Sequence, residues 1–134
     1  MAYWLMKSEP GSYSWDDLVR DGDTEWDGVR NPAARLHLRA MAVDDRALFY
    51  HSGEERAFVG IMRIARAGRP DGPDGEWVSV AVEPVRAFAV PVPLRAIKAE
   101  PRLAGLEMLR QSRLSVSPIR EEEFQTIANM GAEA

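Results

Sequence analysis

A chain of 134 residues, 46% hydrophobic and 28% charged, can enclose one core without disulfides or metals, so a single domain over 1–134 is expected. Cysteine is absent, which excludes disulfide frameworks, thiolate zinc sites, iron–sulfur clusters and cysteine nucleophiles. The formal net charge of −4 argues against a protein that grips long duplexes through many phosphates; any nucleic acid would be held at a local pocket or patch.

Along the chain, Tyr3 to Lys7 is short, aromatic and apolar and reads as a first strand stopped by Pro10 and Gly11. The stretch Met1–Pro10 carries Lys7 and Glu9 and lacks the apolar run of a signal peptide. No segment approaches the roughly 18–20 apolar residues of a membrane helix. Residence in the cytoplasm, or the nucleus of a eukaryote, is expected, with no membrane partner. Ser14 can cap a short helix over Trp15–Arg20, with Asp17 completing an imperfect capping box before Gly22. Acidic residues crowd Asp16 to Asp27, and Arg30, Arg35 and Arg39 follow. Asn31-Pro32 marks a second helix start, since Asn caps and Pro at the first position has no N–H to waste. Ala34, Leu38 and Met41 then share one helical face, and Arg35 and Arg39 a neighbouring one.

Two β runs come next, Arg46–Ser52 and Ala57–Ala65, linked by a Gly-containing hairpin turn. The second lacks clean alternation, as a strand buried on both faces would. Gly68–Gly75 alternates glycine and proline with aspartate and reads as a loop. From Trp77 to Val85 alternation returns, with Val78, Val80 and Val82 on one side. Pro91 and Pro93 bracket an extended segment, Leu94–Ala99 forms a helical turn, and Pro101–Leu109 can hold another. Ser115–Pro118 reads as a last strand, and Glu121–Glu123 as the solvated start of a final helix whose core face is Phe124, Ile127 and Ala128. Strands interrupted by helices and joined by hairpins indicate an α+β barrel.

Glycine-rich phosphate loops, the GxSxG elbow and HExxH are all missing, and His37 and His51 are not spaced as a metal pair. No cofactor or metal is expected. Two polar–aromatic strings stand out. Trp4-Leu5-Met6-Lys7-Ser8-Glu9-Pro10 ends a strand in three hydrogen-bonding side chains. Trp26-Asp27-Gly28-Val29-Arg30-Asn31-Pro32 offers a flat indole, a flexible glycine and directed donors beside a helix start. Such groups suit a planar polar ligand, stacked on one side and read along its edge. Asn31 reads equally as the helix cap. Trp15 reads as core or half-exposed on the first short helix, and Trp77 as core or cage wall. Arg35 and Arg39 suit phosphates or the preceding acidic stretch.

These strings, followed by Ala34-Arg35, Leu48-Phe49-Tyr50-His51-Ser52, Val59-Gly60-Ile61 and Arg113-Leu114-Ser115-Val116-Ser117-Pro118, resemble the EVE domain family over nearly the whole chain. The resemblance implies a PUA-like fold, a small β-barrel with helices packed around its ends, similar to domains that read methylated adenine in RNA. It implies a non-catalytic module, expected as a monomer, that inserts a modified base of DNA or RNA into an aromatic–polar pocket. The wall candidates are Lys7, Ser8, Trp26, Arg30, Asn31, Tyr50, His51 and Ser52, with Arg113 and Ser115 at the rim and Arg35 and Arg39 on phosphates. Relatives are usually longer between the Gly60 and Trp77 strands. The alternative is a small enzyme acting on a nucleotide-like metabolite, with Glu9 or His51 as general acid or base.

Overall fold

The computed structural model describes residues 1–132. Strand β1 (Tyr3–Ser8) lies between a parallel neighbour, β3 (Arg46–His51), and an antiparallel one, β6 (Val116–Ile119). Beyond β3, strands β4 (Ala57–Asp71) and β5 (Trp77–Pro93) form a long antiparallel hairpin, and the short β2 (Thr24–Trp26) pairs with β5. The order across the mixed sheet is therefore β2-β5-β4-β3-β1-β6. Its register slips at Phe49/Tyr50 and at four places along the β4–β5 hairpin. Each slip bends the bulged strand and adds twist, which curls a six-stranded sheet towards a barrel. Closure is incomplete: among the described residues the end strands β2 and β6 share no ladder.

Strand alternation divides the core in two. Trp4, Met6, Ala47, Phe49, Met62 and Ile64 point to one face, where helices α1 (Trp15–Asp21) and α2 (Pro32–Ala40) bring Trp15, Leu18, Ala34 and Leu38. Leu5, Leu48, Tyr50 and Ile61 point to the other. There they meet α3 (Leu94–Lys98), a 3₁₀ turn at Pro101–Leu103, α4 (Glu107–Arg110) and α5 (Glu121–Ala132). A sheet covered on both faces explains why β1, β3 and β4 lack a polar alternate. None of the helices in the described residues is long and apolar enough to cross a membrane.

Local chemistry sets the helix starts. Ser14 Oγ accepts from the Asp17 N–H at 3.1 Å, and Asp17 Oδ2 accepts from the Ser14 N–H at 2.9 Å, so the capping box is complete with the shorter acid. Asn31 Oδ1 accepts from the Ala34 N–H at 3.0 Å, with Pro32 at the first helical position.

Three expectations are corrected, and one strand had not been anticipated. The loop expected at Gly68–Gly75 is strand as far as Asp71, with Arg69, Pro70 and Asp71 paired to Ser79, Val78 and Trp77. Proline is tolerated there because the β3 ladder begins with Arg46 opposite Arg63 and does not extend along β4 as far as Pro70. The strand at Trp77 runs through Val85 to Pro93, turned by bulges in the β4–β5 ladder. Thr24–Trp26 is a strand although three residues carry no readable period. Glu123 is not solvated: it is 4% exposed, and its Oε1 accepts from the Arg120 N–H at 2.8 Å, capping α5.

Candidate functional site

The unpaired ends of the sheet face each other across a cavity of about 660 Å³. One side is the end of β1, Lys7 and Ser8, with the turn that follows and Ser115 leading into β6. The other is β2 and the loop that follows it, Asp27 to Arg30. The polar groups are already partly committed. Ser8 Oγ donates to the Tyr13 carbonyl at 2.6 Å, which leaves its oxygen as an acceptor for a ligand. Tyr13 Oη donates to Asp21 at 2.9 Å, and burial is the foremost of the effects that push its phenol above the ordinary range. Trp26 is 8% exposed and meets Phe49 edge-on at 5.5 Å, so it is a core residue that shows only a small part of its ring to the cavity.

The β2-side wall is braced from a distance. Gly28 has φ +73°, the left-handed region that favours glycine. Its N–H donates to Asp71 Oδ2 at 3.1 Å, and Arg30 Nη1 donates to the same oxygen at 3.1 Å. Asp71 lies at the tip of the β4–β5 hairpin. The Arg30 guanidinium and then the Gly28 N–H hold its carboxyl below the usual range. The guanidiniums of Arg30 and Arg35 lie over the Trp77 ring, 5.6 and 5.0 Å from its centroid. The hairpin tip before Trp77 thus supplies a brace. Deeper in the wall, burial opposes ionisation of Glu25, but hydrogen bonds from Ser79 and Arg66, with the charges of Arg66 and Arg69, keep its carboxyl below the usual range.

Of the residues singled out from sequence, Lys7, Ser8, Trp26, Arg30 and Ser115 line this cavity. Asn31 turns its side chain to the start of α2. Tyr50 and Ser52 line a second cavity, of about 430 Å³, which Lys7 also borders. His51 is buried: its Nε2 accepts from the Trp15 N–H at 3.0 Å, which puts the ring proton on Nδ1, 3.0 Å from Glu55. Glu9 is exposed at the cavity mouth, and Arg113 is exposed outside it. Arg35 stacks on Trp77 and donates to the Glu76 carbonyl at 3.2 Å, while Arg39 is exposed beside the base of the hairpin tip. Neither pairs with the acidic stretch; Glu25 takes Arg66 and Arg69 instead. The sequence reading passed over Ser12, Tyr13 and Thr24. Ser12 and Tyr13 sit just past the Pro10-Gly11 stop, a position that could have suggested a turn folding back over the strand end. Among the described residues no cluster of three metal-ligating side chains exists.

Comparison with known proteins places the chain in a family. The family model for the EVE domain matches residues 2–130. Thymocyte nuclear protein 1 of Mus musculus is 34% identical over an alignment of 164 residues that takes in 96% of this chain and 73% of the relative. The NMR structure of a Rhodopseudomonas palustris protein is similar with a TM-score of 0.93 at 45% identity, covering 98% of this chain and 93% of that one. Human THYN1 in complex with DNA containing 5-methylcytosine is similar with a TM-score of 0.93 at 30% identity, covering 100% and 99%. With the curled six-stranded sheet, its two-sided core and a match over almost every residue, the chain belongs to the EVE domain family.

Proposed function

We propose that this protein is a non-catalytic reader that takes one modified nucleobase of DNA or RNA into the cavity between the end of β1 and β2. The observation that carries the reading is the cavity itself. Its volume of about 660 Å³ falls within the ~300–1,000 Å³ of typical ligand sites. It opens to solvent, and it joins an indole edge to hydroxyl, ammonium and guanidinium groups. Ser8 accepts from the base edge, Ser115 and Lys7 offer further polar contacts, and Arg30, fixed by Asp71, bounds the far side. That a relative of the same fold has been solved with DNA containing 5-methylcytosine supports the same class of ligand here.

Energetics favour weak, selective binding. Trp26 shows too little of its ring for the full ~1–3 kcal/mol of base–aromatic stacking, and extruding a base from a duplex costs a few kcal/mol. With a net charge of −4, electrostatic attraction does little to offset that cost, so single strands bind best. Catalysis by the two candidate acid/base residues has little support: both ring nitrogens of His51 are engaged inside the protein away from the cavity, and Glu9 is exposed. The test is a fluorescence-anisotropy titration with single-stranded oligonucleotides that differ only in one 5-methylcytosine or another modified base. At least one modification binds more tightly than the unmodified strand; equal affinity across the set overturns the reading.

A further inference from the structure

The second cavity is chemically unlike the first. Its cations are Lys7, Arg56 and Lys98, and its hydroxyls come from Tyr50, Ser52 and Ser112; no carboxylate lines it. Among the described residues none of the three cations is paired with a carboxylate, whereas Arg20, Arg30, Arg63, Arg66 and Arg69 all are. Lys7 Nζ donates to the Ser112 carbonyl at 3.0 Å, and Arg56 Nε to the Gly53 carbonyl at 3.1 Å, so both heads are held in place with donors to spare. Two acids lie nearby: Glu54 and Glu55 line a smaller neighbouring cavity that Arg56 and Lys98 also border, but Glu55 faces His51 and neither carboxylate forms an ion pair with Arg56 or Lys98. Half-burial lowers the Lys7 ammonium from its ordinary pKa, the cost of a cation removed from water without a partner.

Strand alternation joins this cavity to the first. Ser8 and Lys7 end β1 on opposite faces. Lys7 shares the face of Leu5 and is paired in register with Tyr50, whereas Ser8 shares the face of Met6. One residue of one strand therefore borders both hollows.

We propose that Lys7, Arg56 and Lys98 form a phosphate-binding site, filled by a backbone phosphate of the same strand whose base enters the first cavity. The source named here rests on the base-reading function; the phosphate chemistry does not. A single strand with its base against Ser8 carries its neighbouring phosphates past Lys7, and the site meets them with three positive charges and adaptable hydroxyl donors.

The double variant R56A/K98A tests the site without touching the base cavity. Its melting temperature is compared with the parent protein to establish folding. Anisotropy then measures binding of a modified and an unmodified single-stranded oligonucleotide across a salt series. Both affinities fall by the same factor, of order tenfold, with the modified-to-unmodified ratio kept and the salt slope reduced by ~0.7 for each phosphate lost. A neutral methylphosphonate beside the modified base weakens the parent protein and not the variant. Unchanged affinity for both strands in a folded variant overturns the proposal. Amide chemical shifts read during titration with inorganic phosphate form a separate arm. Shifts at Ser52 and Gly53 that vanish in the variant, without any loss of oligonucleotide binding, mark a free-phosphate site and overturn the strand as its source. Equal affinity of the parent protein for modified and unmodified strands defeats base reading alone; a uniform loss in R56A/K98A still supports the phosphate site.

Discussion

Trp4 Nε1 donates to Asp45 Oδ2 at 2.9 Å, and the N–H groups of Ala42 and Ala2 donate to the same carboxylate. Asp45 is 4% exposed, yet those donors outweigh the burial that opposes its charge. Asp45→Ala leaves an indole and two backbone donors without their acceptor, and the expected loss is about 2–4 kcal/mol by urea denaturation. A change within a few tenths would show that water replaces the carboxylate. Gly60 is constrained from the other direction. A Cβ there would stand 2.6 Å from Trp15 Cη2 and Cζ3. That indole is 6% exposed and wedged edge-on against Phe49 at 5.6 Å, so it has nowhere to go. Gly60→Ala is expected to cost about 1–3 kcal/mol. It should also disturb the Trp15–His51 hydrogen bond, visible in the His51 ring resonances.

At the scale of elements, the helix start at Asn31 separates two roles that one residue type can fill. A cap needs only a short side-chain acceptor, so Asn31→Ser keeps stability within a few tenths while Asn31→Ala costs about 1 kcal/mol. If Asn31 acts through the cap alone, both variants keep the preference for a modified base; loss of that preference in the stable serine variant would make it a base contact. The hairpin tip behaves differently, because its Asp71 braces the Gly28–Arg30 wall and covers no core. Asp71→Ala should weaken oligonucleotide binding several-fold with little change in melting temperature. These elements also show where the sequence was legible. Ser14, Asn31 and the alternation of Val78, Val80 and Val82 act through neighbours a few residues away, so their helices and strand could be read directly. Strand β2 owes its conformation to pairing with β5, a partner dozens of residues distant, and the tip of β4 to pairing across the hairpin with Trp77–Ser79, while proline and glycine at Gly68–Asp71 signalled only what the backbone disfavours. The site followed the same division. Ser8, Trp26 and Arg30 were visible as chemistry within two short strings, whereas Tyr13 joins them only because the turn after β1 folds back over the cavity.

Below neutral pH the ionisable groups whose values shift bias stability in one direction. Burial opposes the charge of Glu25 and Asp45 but is outweighed by hydrogen bonds; the Ser14 N–H at Asp17, Arg20 at Asp21, Arg30 at Asp71 and Arg102 at Glu100 are the foremost influences there and exceed the opposing burial, so all six carboxyls lie below their ordinary values. Burial also lowers His37. A group whose folded pKa lies below its unfolded one binds more protons in the unfolded chain, so stability rises with pH through its titration. The His37 contribution is present above about pH 6.5 and fades as pH falls below it. The carboxylate contributions are present above about pH 4 and are lost as pH falls through the folded values. Several of these carboxylates are surface pairs that solvent screens, so Asp45 dominates the acid limb. The urea midpoint should therefore decline gently from pH 7 to 5 and steeply below 4. Asp45→Ala should flatten the steep part, and His37→Gln the gentle one. A midpoint that held constant from pH 7 to 3 would mean that the Asp45 network titrates alike in both states, and the indole anchor would then contribute nothing to the balance between them.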